Sequence, residues 1–280
     1  MTSIFFLATL LALHPGPGEG THACAHRGDL AAAPENTLPA IISAVEKGAH
    51  QIEFDVHMTS DGHLVIIHDA TVDRTTNGSG AVADMRFEEI RALDAGSWFG
   101  PEFAGTRVPT LREVLEVIPE TILCNVHLKN APGVAAASAK VIRDMGRLSH
   151  CFLACTKKQA QEAKAVPPEI MICNMDRVRG NRAAYIDQTI ALGAEFIQLH
   201  WGQGLAGLAE DIARLHDAGI RVNFFGAQEE DLIRELAEAG VDYILTDDLD
   251  LCLEVLRDYG TEPLETAAPR EIHSSAQAAP

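Results

Sequence analysis

The sequence predicts an α/β chain folded as a parallel (β/α)8 TIM barrel with an insertion after its second strand. Eight short β-rich runs alternate with amphipathic stretches along 280 residues, as expected for strand–helix units wound into one parallel sheet. Glycine follows the helical stretches at Lys47-Gly48, Ala218-Gly219 and Ala239-Gly240, where a left-handed residue ends a helix. No glycine-rich dinucleotide fingerprint follows the first strand, which counts against a doubly wound open sheet.

The strand-like runs are residues 22–25, 51–58, 122–128, 150–155, 170–174, 196–199, 221–225 and 243–246. Amphipathic stretches between them include 38–47, 111–118, 134–145, 205–218 and 229–239. One segment breaks the alternation. Thr59-Ser-Asp-Gly62 is too short to join parallel strands, so residues 64–68 read as a hairpin arm rather than a ninth barrel strand. Residues 57–109 then read as an insertion capping the C-terminal mouth, where barrels of this kind place their chemistry. The barrel domain is expected over 21–260. Residues 1–20 carry the run IFFLATLLAL and read as a secretory signal, hence export. Residues 261–280, rich in Ala, Pro, Ser and Glu, read as a disordered tail.

Acidic residues outnumber basic ones 40 to 22, for a net charge of −18. That argues against nucleic acid or an anionic membrane as partner, since both need a basic face. No apolar run reaches the ~18–20 residues of a membrane span. A small molecule is the expected partner. The six cysteines contain no CxxC pair and mostly lie in apolar runs, so they read as small buried side chains without a disulfide framework.

Side chains alternate across a strand, so Glu53, Asp55 and His57 share one face of the second strand, and Asn125, His127 and Lys129 share one face of the third. Parallel barrel strands are normally apolar on both faces. Two adjacent polar faces therefore imply either an internal ion-pair network, with Lys129 on Glu53 or Asp55, or a metal held by Glu53, Asp55 and His127 with Lys129 reaching an anionic ligand. The first strand ends in His26-Arg27-Gly28, pointing into the mouth, and the hairpin arm ends in His68-Asp69. Two imidazoles, an arginine, a lysine and three candidate ligands suit phosphoryl chemistry. His57 reads as structural. His200, Trp201, Trp98 and Phe99 either line the pocket or pack the insertion, and His14 and His22 receive no role.

His26-Arg27-Gly28, Pro34-Glu35-Asn36-Thr37, Glu53-Phe-Asp55-Val, Thr59-Ser-Asp61-Gly62 and His68-Asp69 together resemble the glycerophosphodiester phosphodiesterase family. Asp73 to Gly80, Leu93-Asp94, Val108 to Leu111, Asn125 to Lys129 and Val241 to Asp247 extend the resemblance over most of the chain. It implies a barrel that hydrolyses glycerophosphodiesters to sn-glycerol 3-phosphate and an alcohol with one divalent ion, calcium or magnesium by family. It further implies Glu53 and Asp55 as metal ligands, His26 and His68 as the acid–base pair, and Arg27 and Lys129 on the phosphate. Two positions depart from the family. His127 stands where the third ligand is usually Glu, which suits manganese, cobalt, iron, nickel or zinc better. Phe225 stands where Trp is common; it keeps an apolar wall for the glycerol carbons but loses a donor. The rival readings are a lysophospholipase D-like phosphodiesterase, which needs an apolar groove for an acyl chain, and a barrel that binds phosphodiesters without turnover.

Overall fold

The computed structural model describes residues 14–129 and 131–265. The apolar run at 4–13, read as a signal core, lies outside the described residues. The strands are β1 (His22–Ala25), β2 (Gln51–Met58), β3 (Leu64–Ile66), β4 (Leu123–Leu128), β5 (Cys151–Cys155), β6 (Met171–Asn174), β7 (Phe196–His200), β8 (Arg221–Phe225) and β9 (Tyr243–Thr246). Around the barrel they run β1, β2, β4, β5, β6, β7, β8, β9, and β1 pairs with both β2 and β9, so eight parallel strands close. β3 is the exception, pairing antiparallel with the upper half of β2 (Val56 with Ile66, Met58 with Leu64). The short link, residues 59–63, did force a hairpin.

The helices are α1 (Leu38–Glu46), α2 (Phe87–Arg91), α3 (Leu111–Val117), α4 (Val134–Asp144), α5 (Lys157–Lys164), α6 (Arg182–Leu192), α7 (Leu208–Asp217), α8 (Glu230–Ala239) and α9 (Leu249–Arg257). Local sequence sets their ends. Thr110 with Glu113, and Thr156 with Gln159, form capping boxes that open α3 and α5. α7 begins three residues later than its apolar period suggests, because Gly204 and Gly207 hold φ of 74° and 70°, which no right-handed helix contains. Side chains of the outer strand faces and the helices make the main core. A second cluster, including Phe152, Cys173, Phe196 and Leu245, fills the barrel interior.

The insertion has a small core of its own around Val65, Ile67, Val72, Val82, Ile90 and Val108. It is pinned to the barrel where Ile67 donates its N–H to the Asp55 carbonyl of β2 at 3.0 Å. At the opposite end, the stretch read as a tail from Thr261 is docked as far as Leu264. Leu264 N–H bonds Gly48 O at 2.9 Å and Thr261 Oγ1 bonds Thr21 O at 2.8 Å. A side chain on Gly48 would meet Leu264 O at 2.6 Å, so this close approach needs glycine. Any disordered tail therefore starts later than Thr261, and residues 266–280 lie outside the described part. His14 and His22 also sit at this end: His14 Nε2 is 3.4 Å from His150 Nδ1, and the His22 ring packs on His50 and Tyr243. All six cysteines are buried and free. No helix among the described residues is long and apolar enough to cross a membrane.

Candidate active site

The register of β2 on β4 sets Asp55 beside His127 and Glu53 beside Asn125, so alternate side chains of both strands face the barrel interior together. Glu53, Asp55 and His127 each offer one ligand atom, and these atoms lie within 4.8 Å of one another. Glu53 and Asp55 are only 2% and 1% exposed. His127 Nδ1 lies 3.0 Å from Asp55 Oδ1 and 3.4 Å from Glu53 Oε1. Lys129, just past the end of β4, rests its Nζ 2.7 Å from Asp55 Oδ1. Burial opposes charge on Asp55, but the His127 bond and the Lys129 ammonium hold its carboxyl well below the usual carboxylate range. Burial also presses the His127 imidazole down, and the bonds it donates to Asp55 and Glu53 overcome this and raise its pKa. Two buried carboxylates with an imidazole among them are a donor set that fits a divalent cation.

The loop after β1 builds the adjoining wall. Arg27 and Asn36 are the two non-glycine residues with positive φ (57° and 58°) among those described. This uncommon conformation turns the Arg27 N–H onto Glu53 Oε2 at 3.1 Å. Asn36 in turn clasps Asp55: its Nδ2 donates to Asp55 Oδ2 at 2.9 Å, and its Oδ1 accepts the Asp55 N–H at 3.1 Å. Gly28 lets the loop run against α1, since a side chain there would lie 2.7 Å from the Ala40 backbone. The Arg27 guanidinium pairs with Glu35 at 2.7 Å and stands 3.6 Å from Asp55.

Both histidines of interest are held in the same way. His26 Nδ1 lies 2.5 Å from Asp247 Oδ1, which leaves Nε2 directed toward Glu53 at 3.9 Å. The bond from His26 lowers the Asp247 pKa. His68 Nδ1 lies 2.7 Å from Asp69 Oδ1. Asp69 is in turn held by Arg74, which reaches back to Glu35, and Arg74 and His68 keep the Asp69 carboxyl strongly ionised. A carboxylate on Nδ1 fixes ring orientation and tautomer and frees Nε2 for proton transfer. The His57 ring bonds the His68 carbonyl at 3.2 Å, bracing the hairpin arm. Phe225 packs edge-on to His26 with ring centroids 5.0 Å apart. Trp98 donates its indole N–H to Ala95 O and packs on Phe99, within the insertion.

The predicted ligands thus gather at one point, with His26, Arg27 and Lys129 around them. Lys129, read as reaching an anionic ligand, leans on Asp55. Asp247, Asn36, Glu35 and Arg74 were assigned no role from sequence. All four lie inside motifs that carried the family resemblance. Arg74 lies in the insertion, where no strand periodicity points to it.

A family model described as the glycerophosphoryl diester phosphodiesterase family matches residues 26–176. A glycerophosphodiester phosphodiesterase from Caldanaerobacter subterraneus is 35% identical over 245 residues, 84% of this chain and 98% of that protein. The crystal structure of a glycerophosphodiester phosphodiesterase from Agrobacterium tumefaciens matches with TM-score 0.70 and 32% identity, covering 83% of this chain and 98% of the other. An Oleispira antarctica phosphodiesterase, solved with its product sn-glycerol-3-phosphate, matches with TM-score 0.76 and 28% identity, covering 89% and 99%. By sequence and by fold, the chain belongs to the glycerophosphoryl diester phosphodiesterase family.

Proposed function

We propose that this protein hydrolyses glycerophosphodiesters to sn-glycerol 3-phosphate and an alcohol, with Glu53, Asp55 and His127 holding one divalent ion. The observation that carries this reading is the pair of carboxylate-anchored imidazoles, His26–Asp247 and His68–Asp69, together with the Glu53–Asp55–His127 cluster. His26 Nε2 takes the proton of the glycerol 2-hydroxyl as that oxygen attacks phosphorus. His68 gives a proton to the departing alcohol oxygen. Water then opens the cyclic phosphate with the two roles exchanged. Each imidazole contributes on the order of 10²–10⁴ in rate. Lys129 and Arg27 offset the charge of the phosphoryl oxygens. A divalent ion, when bound, adds positive charge at those oxygens. With an imidazole in the donor set, manganese, cobalt, iron, nickel or zinc is favoured over calcium or magnesium.

The test is turnover of glycerophosphocholine by chelator-stripped protein across a panel of divalent metals. The expected result is glycerol 3-phosphate release restored by the borderline transition ions. Tight substrate binding without turnover under every metal would replace the hydrolase with a binding protein.

A further inference from the structure

The two histidine dyads are braced differently. Asp247, behind His26, is otherwise bound by the neutral amide of Gln228. Asp69, behind His68, is gripped by a guanidinium. Arg74 Nε lies 2.7 Å from Asp69 Oδ2, and Arg74 Nη2 donates to Asp69 Oδ1 at 3.0 Å. The end of the same guanidinium clasps Glu35, Nη1 to Oε2 and Nη2 to Oε1, both at 2.8 Å. Glu35 Oε1 also accepts from Arg27 Nη1 at 2.7 Å. A chain of paired groups therefore runs from His68 through Asp69, Arg74 and Glu35 to Arg27. It ties the end of the hairpin arm to the insertion and to the loop after β1. Isolated exposed ion pairs contribute little, but two-pronged arginine–carboxylate contacts joined in a network fix geometry.

We infer that Arg74 is a positioning residue for the proton-donating step: it sets Asp69, and through Asp69 the His68 ring, at a fixed place relative to Arg27. The inference rests on the hydrolase reading above. His26 directly follows β1, which is paired on both sides in the closed barrel. His68 follows β3, an antiparallel arm only three residues long. The His26 side chain is 10% exposed and that of His68 is 35% exposed, so packing holds the first ring and much less of the second. The external brace falls on the ring that packing leaves open. The loop that carries Arg74 is ordered by other bonds. Val72 N–H bonds Gly80 O at 3.0 Å, Asp73 accepts from Ser79 Oγ at 2.8 Å and from Gly80 N–H at 3.0 Å, and Thr76 Oγ1 donates to Val72 O at 2.6 Å. What the Arg74 guanidinium orients is therefore Asp69 and Glu35, not its own loop. In the step itself the bond between phosphorus and the alcohol oxygen breaks as His68 passes its proton to that oxygen. Arg74 transfers nothing, and a donor misplaced by about 1 Å costs up to about 10²-fold.

The experiment compares kcat/KM, which reports the step that releases the alcohol, on two substrates. The leaving alkoxide of glycerophosphocholine needs a proton, and the phenolate of a glyceryl nitrophenyl phosphodiester does not. Arg74→Ala should lower kcat/KM on glycerophosphocholine about 10- to 100-fold and leave the nitrophenyl substrate within about threefold. Arg74→Lys keeps the charge and loses the fork, and should show the same split at smaller size. Asp69→Asn alone should lose as much on glycerophosphocholine as Asp69→Asn combined with Arg74→Ala, because Arg74 acts through Asp69. An equal loss on both substrates, losses that multiply in the double variant, or an unchanged kcat/KM for glycerophosphocholine in Arg74→Ala overturns this inference alone. Absence of turnover of either substrate by the natural protein with every metal overturns the hydrolase reading and takes this inference with it.

Discussion

Replacing Asp247 by Asn is the sharpest probe of the His26 dyad, because it keeps shape and removes charge. The carboxylate touches His26 Nδ1 at 2.5 Å and is otherwise bound by Gln228. As His26 takes up a proton, the imidazolium and carboxylate charge centres stand about 4 Å apart, worth about 4 kcal/mol at an effective dielectric near 20. The Asp247 side chain is 34% exposed, so solvent screening brings this to roughly 2 kcal/mol, or about thirtyfold in kcat. Asn also stabilises the wrong ring tautomer when its amide N–H faces Nδ1, which moves the loss toward the ceiling of ~10²–10⁴ for a general base. Asp247→Asn should therefore lower kcat by about 30- to 1000-fold with KM little changed, since Asp247 acts through His26 rather than on the substrate. The assay is glycerol 3-phosphate release from glycerophosphocholine at saturating metal. A kcat within about threefold of the natural protein, alongside an inactive His26→Ala, would show that His26 works without its carboxylate.

Three further outcomes are expected. His68→Ala should lose about 10²–10⁴ in rate on glycerophosphocholine but far less on a glyceryl nitrophenyl phosphodiester, whose leaving group needs no proton; equal losses would remove His68 as the acid. His127→Glu should move metal preference toward calcium or magnesium, and an unchanged metal profile would mean that His127 is not a ligand. His14 and His50, at the far end of the barrel, have pKa values lowered from 6.5 to about 4, chiefly by burial. A folded value below the unfolded one favours the neutral ring, so this stability is complete above pH 6.5 and is lost as pH falls toward 4. Each contributes about 3 kcal/mol at neutral pH. Urea unfolding between pH 7 and 4 should steepen accordingly, and His14→Gln with His50→Gln should flatten the profile.

The barrel was legible because its evidence is local. Each β-rich run needs only its own composition, and each helix end its own glycine or cap. The hairpin followed from chain length alone, as so short a link cannot carry a parallel crossover. The docked segment after Thr261 was not legible, because its composition is that of a tail. Its order comes from partners far off in sequence, Gly48 and Thr21. The start of α7 was missed for a similar reason. Apolar period continued through Leu205, but the positive φ at Gly204 and Gly207 decided the boundary.

At the site, strand alternation was enough to bring Glu53, Asp55 and His127 to one face, since a parallel register turns spacing into proximity. It could not separate an ion-pair network from a metal site, and the structure shows why these are one arrangement. Two buried carboxylates carry two negative charges. Lys129 supplies one balancing charge and the raised His127 pKa favours a second on its ring, so the network reading describes what the residues do by themselves. A divalent ion would bring the same two positive charges to the same oxygens. Asp55 would then no longer need the Lys129 ammonium, leaving it to meet an anionic ligand. The carboxylate partner of His26 escaped notice for a different reason. Asp247 comes from the last strand of the ring and meets His26 of the first only because the barrel closes, and ring closure is a property of the whole chain that no single motif displays.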